Sequence, residues 1–211
     1  MFRYSCFLSY QRGNELLDRF IRELFQGLSD ELGLVTSLPV WFDTARIAVG
    51  ERWAMASAEA LLRSVCMVPV LTPTYFSKQR YYCSREYLAM ERIEASRSRA
   101  TGRPESLILP VVLRGAEHLP KIVTERRQYL DFSQYLAFGV RQFRSPKFGE
   151  LVSELARRVA RLCELYTALE KSIDPAELQM ALPSDEEASK WLDSATNTLR
   201  TALPAFPLTS Q

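Results

Sequence analysis

One histidine, His118, stands in a chain of 211 residues, and the four cysteines, Cys6, Cys66, Cys83 and Cys163, lie far apart with no CxxC among them. Such a set offers too few ligands for a zinc site. Scattered thiols suit a reducing compartment better than a disulfide scaffold, so a cytoplasmic location is expected. No signal peptide is expected either, because apolar residues begin at Met1 and Phe2 and run almost directly into a strand-like segment. The longest uncharged run near the middle, Ser64 to Ser77, has 14 residues and carries Pro69 and Pro73. It is too short and too broken to span a bilayer, and no membrane partner is expected. The patterns GxGxxG, GxxxxGK(S/T), GxSxG and HExxH are all absent. Nor is charge of one sign in excess: the net charge is +2, with 47% apolar and 25% charged residues. The arginine clusters Arg97/Arg99/Arg103, Arg126/Arg127 and Arg157/Arg158/Arg161 have acidic residues interleaved nearby. They read as solvated faces, and no nucleic-acid partner is expected.

What is present is an alternation of strand-like and helix-like segments. YSCFLS (4–9) reads as a strand. A helix follows, with Leu17, Phe20, Ile21, Leu24, Phe25 and Leu28 on one face, Asn14 placed to cap it and Gly33 near its stop. PVWF (39–42) is a second strand, and a polar loop with Gly50 as its hinge leads to a helix from about Arg52 to Arg63. VCMVPVL (65–71) is the third strand, in which Pro69 should mark a bulge or a strand end. The next helix runs from near Ser77 to a Ser/Arg-rich loop at 96–103. LILPVVL (107–113) is a fourth strand and YLDF (129–132) a weak fifth. Phe148, Leu151, Val152, Leu155, Val159, Leu162, Cys163 and Tyr166 form the cleanest amphipathic stripe.

Alternation with short, fully apolar strands implies an α/β fold, a flavodoxin-like doubly wound five-stranded parallel sheet, with 2-1-3-4-5 as its working order. Residues 1–170 form the domain and 171–211 a helical C-terminal extension. In the extension Asp174-Pro175 reads as a cap and first helical residue, and Ser184 with Glu187 matches a capping box. Ala188, Trp191, Leu192, Ala195 and Leu199 form a stripe that should pack on the domain or on a neighbouring chain, and the last dozen residues should fray.

Ligands of such sheets bind beyond the carboxyl ends of the strands at the switch in strand order. The first strand delivers Ser9, Tyr10, Gln11 and Arg12 to that rim, the second Asp43 and Arg46, and the third Thr72-Pro73 and then Glu86. The stretch FSKQRYYCSREYLAM (76–90) surrounds Glu86 with Arg85, Tyr81, Tyr82 and Tyr87. An acidic residue near a helix start is favoured for stability alone, Tyr10 and Trp53 also suit plain core packing, and Arg12 and Arg46 also suit a solvated loop.

Four blocks, in order, resemble the Toll/interleukin-1 receptor (TIR) domain family over about residues 3–165. They are CFLSYQR (6–12), VWFDTARIAVGERW (40–53), VPVLTPTYFSKQRYYCSREY (68–87) and LILPVVL. The CSRE wording and Trp53 after GER look closer to bacterial TIR proteins than to animal adaptors, so the resemblance implies the bacterial, NAD-cleaving type. The resemblance implies that Glu86 is catalytic and that Ser9, Tyr10, Arg12, Asp43, Arg46 and Tyr82 contact the substrate. Tyr82 stands where the NAD-cleaving members carry a tryptophan, so an aromatic face is kept. It implies an NAD nucleosidase, hydrolase or cyclase, with NAD as substrate, no other cofactor and no metal. It also implies homo-oligomeric assembly through TIR–TIR contacts, a role in antiphage defence signalling, and an upstream activator or downstream effector. Two other readings stay open: a non-catalytic TIR interaction module, and a nucleotide-binding sensor.

The residues present can do this chemistry. Nicotinamide leaves the ribose as a neutral base, so no general acid is needed, unlike ordinary glycoside hydrolysis with its two carboxylates. A single ionised carboxylate stabilises the oxocarbenium-like transition state, and each ~1.4 kcal/mol of that preference is worth tenfold in rate.

Overall fold

The computed structural model describes residues 2–42, 51–77, 81–137, 143, 145–168 and 183–200. Its centre is a pair of buried parallel strands, β1 (Tyr4–Tyr10) and β2 (Ser64–Leu71), in register from Tyr4 with Ser64 to Tyr10 with Val70. Every residue of β2 is buried, as a strand covered on both faces requires. Two short parallel strands follow on its far side, β3 (Val111–Val112) and β4 (Leu130–Asp131), so the sheet runs β1-β2-β3-β4.

Among the described residues the sheet has four strands rather than five. The segment expected as a strand at 39–42 makes a single parallel bridge, Trp41 with Phe7, on the edge of β1 away from β2. Trp41 donates to the Cys6 carbonyl at 2.8 Å and stacks on Phe7 with ring centroids 4.3 Å apart. Pro39 has no N–H, so the ladder cannot extend through it.

Pro69 is neither a bulge nor an end of β2; it pairs with Ser9 inside the strand. Its effect appears in the neighbour. Met67 and Leu71 bond the β3 side, so by alternation Pro69 faces that side too and cannot donate there. The expected strand 107–113 is accordingly split into a bridge at Ile108 and the two residues of β3.

Helices cover both faces. α1 (Glu15–Gly33) and α6 (Pro146–Thr167) pack together on the sheet, as do α2 (Glu51–Leu62) and α3 (Tyr81–Thr101). Asn14 Oδ1 caps α1 by accepting from the Leu17 amide, and Ser145 caps α6. Phe20 of α1 meets Phe132, Phe143 and Phe148 edge-on. α4 (Lys121–Thr124) and α5 (Ser133–Ala137) are short turns beside β4.

The stretch 96–103 is not a loop, because α3 continues to Thr101 and stops at Gly102, whose φ is +66°. Arg97 explains the extra turn: its guanidinium donates to the carbonyls of Leu62, Ser64 and Val65 at 2.8–3.0 Å and lies over the Phe2 ring. Arg127 is likewise no solvated charge, with its side chain 10% exposed between Glu94 and Glu91. Partial burial separates these two arginines from the exposed Arg99, Arg103, Arg126, Arg157 and Arg161.

The C-terminal segment packs on the rest of the chain. Its helix α7 (Asp185–Arg200) rests against α3 and α4, opened by the expected capping box between Ser184 and Glu187. Asp174-Pro175 and residues 201–211, on which a further helix and fraying were expected, lie outside the described residues. Among the described residues no helix is long and apolar enough to cross a membrane.

Candidate functional site

Strand alternation sends Ser9 and Tyr10 to opposite faces of the sheet. Tyr10 stacks on Phe42, which stacks on Phe25 of α1. Ser9, 1% exposed, points instead toward α3, where its hydroxyl donates to Glu86 Oε2 at 2.6 Å. The tight turn after β2, closed by the Tyr75 amide on the Thr72 carbonyl, brings a third group to the same place. The Tyr75 hydroxyl is fully buried and lies 2.7 Å from Ser9 Oγ. Ser9 has one hydrogen, committed to the carboxylate, so Tyr75 is the donor of that second bond. Burial above all, then the nearby Cys83 and Glu86, pushes the Tyr75 phenol well above its ordinary value, which keeps it protonated as a donor.

The result is a directed chain, Tyr75 O–H to Ser9 O–H to the Glu86 carboxylate, in which each bond polarises the next. Glu86 lies in the second turn of α3 and is half-buried. Its carboxylate is thus turned to the carboxyl end of β1 and held there, whereas an ordinary solvated helix residue would sample many rotamers. Tyr82, one turn earlier on the same helix face, is 49% exposed. Arg85 turns away: its Nε donates to the Pro183 carbonyl and its Nη1 pairs with Asp185.

Beside this chain, at the carboxyl ends of β1, β2 and β3, opens a crevice of about 270 Å³. Arg12, Asn14, Thr72, Thr74 and Arg114 line it, and Thr74 is hydrogen-bonded to Gln11. Two guanidinium groups from the ends of different strands, each a planar fork of donors, suit an oxyanion such as a phosphate. Glu86 is not among its lining residues, but Arg12 follows Ser9 by three positions and Thr74 adjoins Tyr75.

The fold therefore joins Ser9 with Glu86, leaves Tyr82 exposed one turn earlier on the same helix, places Arg12 in the adjoining crevice, and directs Tyr10 to the opposite face. Asp43 and Arg46 lie outside the described residues, as does the side chain of Trp53. Two residues were not singled out from sequence. Tyr75 is the first aromatic after β2, in LTPTYF, and Arg114 directly follows LILPVVL; a polar or aromatic residue just past an apolar strand was the signal for both.

The sequence profile of the TIR domain family matches residues 6–145, about two thirds of the chain. No curated protein matches the sequence. Among solved structures the chain is similar to the TIR domains of the activated Roq1 resistosome directly recognizing the pathogen effector XopQ. The identity is 16% and the TM-score 0.39, over 95% of this chain and 99% of that one.

Proposed function

The chain belongs to the TIR domain family, and on that premise we propose that it is an NAD nucleosidase cleaving the bond between nicotinamide and ribose. The observation that supports this reading is the Glu86 carboxylate, held at 2.6 Å by the buried Ser9 hydroxyl at the ligand-binding edge of the sheet. This is the position on which the resemblance lays the catalytic glutamate of the NAD-cleaving type.

In the proposed reaction the C1′–N bond breaks and nicotinamide departs with the electron pair, which neutralises its pyridinium. The ribose is left electron-poor at C1′, and the fixed carboxylate stabilises that charge without having to reorganise. Water then attacks and loses a proton to solvent, giving ADP-ribose, or a nucleophile within the same molecule closes a ring. Arg12 and Arg114 take the pyrophosphate, Tyr82 offers a ring face, and Asp43 and Arg46 complete the substrate contacts. No cofactor beyond the substrate takes part.

Residues 1–170 form the TIR domain in this proposal and 171–211 its extension, with the Trp41 edge as the fifth strand of a 2-1-3-4-5 sheet. The setting is bacterial antiphage signalling in the cytoplasm, switched on by homo-oligomeric TIR–TIR assembly under an upstream activator, or acting on a downstream effector.

The deciding experiment incubates concentrated wild type and Glu86→Gln with NAD and separates the products by chromatography. The substitution keeps shape and removes charge. Expected are nicotinamide release by the wild type and a loss of about a hundredfold or more in the variant, the scale seen when a preorganised electrostatic group is removed. Equal turnover by both removes Glu86 from the chemistry, and no turnover by the wild type leaves the non-catalytic TIR interaction module.

A further inference from the structure

The C-terminal helix does not rest on an indifferent surface. Trp191 of α7 meets Phe76 at 5.6 Å between ring centroids and Tyr87 at 5.7 Å. Phe76 follows Tyr75 in sequence and packs edge-on against its ring at 4.8 Å, while Tyr87 follows Glu86. One indole thus supports both segments that carry the Tyr75–Ser9–Glu86 chain. Two ion pairs hold the helix in place: Arg85, the residue preceding Glu86, with Asp185 at 3.0 Å, and Arg92 with Glu187 at 2.6 Å. Trp191 itself is only half-buried, packed onto the edge of the core.

We infer that α7 is a brace for the Glu86 site and that Trp191 is its positioning residue, setting the carboxylate through Phe76 and Tyr75 on one side and Tyr87 on the other. The inference deepens the proposed NAD cleavage and rests on it for its kinetic consequences, although the brace itself is read from packing alone. A helix that only added stability would change the folded fraction and leave the turnover of folded protein untouched. A brace changes kcat.

The test uses the full chain and compares wild type with Trp191→Ala, Trp191→Phe, Tyr75→Phe and the Trp191→Ala/Tyr75→Phe double variant, at a temperature where all are folded. Trp191→Ala should lower kcat about tenfold with KM within about twofold, in the range of coupling through packed side chains. Trp191→Phe, which keeps a ring, should restore most of that loss. In the Tyr75→Phe background the effect of Trp191→Ala should shrink to less than about threefold, because both act through one hydroxyl chain. An unchanged kcat, or fully additive losses, overturns the brace.

Amide hydrogen exchange separates this inference from the reading of the site. If the wild type cleaves no NAD, that reading fails, and exchange alone decides the brace. Faster exchange in Trp191→Ala confined to Tyr75–Ser77 and Tyr81–Tyr87 upholds it, and unaltered exchange there overturns it. Should Trp191→Ala not fold, Asp185→Ala serves instead: that side chain is 70% exposed and can be truncated without disturbing the core. It should speed exchange in the same segment, and no change again overturns the inference.

Discussion

Ser9 and Glu86 are 77 positions apart in sequence and 2.6 Å apart in the fold, with the serine hydroxyl donating to Oε2. A strand end thus orients a helix carboxylate. Donors to charged groups contribute about 1.5–3 kcal/mol, so Ser9→Ala should cut kcat about ten- to a hundredfold. KM should hardly move, because the substrate contacts remain. Tyr75→Phe, one bond further back, should cost about two- to fivefold on the weaker scale of a neutral hydrogen bond. Steady-state kinetics of nicotinamide release checks both, and a Ser9→Ala enzyme with wild-type kcat would detach this hydroxyl from the chemistry.

Arg12 and Arg114 converge on one crevice from the ends of β1 and β3. If they hold the pyrophosphate, alanine at either position should raise KM for NAD about tenfold with kcat nearly constant, the scale of one charge-assisted contact. The penalty should fall as salt is added, since the screening length drops from ~10 Å at 0.1 M to ~3 Å at 1 M. Nicotinamide riboside, which has no phosphate, is the control: its cleavage should be indifferent to both substitutions.

Glu187 links the docking of α7 to pH. The Ser184 backbone N–H first, and Arg92 second, hold its carboxyl at about 2 against an ordinary 4.5. A carboxyl held low favours the folded form while ionised, so its contribution is complete above 4.5 and is lost as pH falls toward 2. NMR signals of Trp191 should therefore report α7 loosening across that acid window. In Glu187→Gln this part of the transition should be missing. A wild-type profile identical to the variant's would refute the linkage.

Arg97 joins α3 to the α2–β2 junction through three backbone carbonyls. Arg97→Ala should lower unfolding free energy by about 2 kcal/mol, as expected when bonds from a charged donor are removed. It should appear as a lower denaturation midpoint at constant slope. Arg97→Lys should recover only part, because an ammonium cannot reproduce the planar fork.

The extent to which fold and site were legible follows from the range of the forces involved. α1 was read from its stripe and its cap, α6 from its stripe, and the Ser184–Glu187 box from its spacing, because those interactions close within a few residues. Glu86 and Ser9 were legible as separate residues of a strand rim and a helix start. Their meeting was not, since no local pattern encodes a contact between β1 and α3. Tyr75 passed unnoticed because its importance lies in a buried hydroxyl whose partner is 66 positions away.

Alone, then, the order of amino acids settled where the main strands and helices lie, though not the states of 39–42 and 96–103, and which polar groups stand at the strand ends, through periodicity, capping and chain geometry. Tertiary packing decided how far each element extends: Pro69 shortened its neighbour rather than its own strand, and Arg97 lengthened α3 by binding carbonyls of another segment. It also decided which face each rim residue occupies, and it seated Trp191 against Phe76 and Tyr87. Those outcomes depend on a donor or ring supplied from a distant part of the chain, and a residue cannot announce its partner until the sheet has brought the two together.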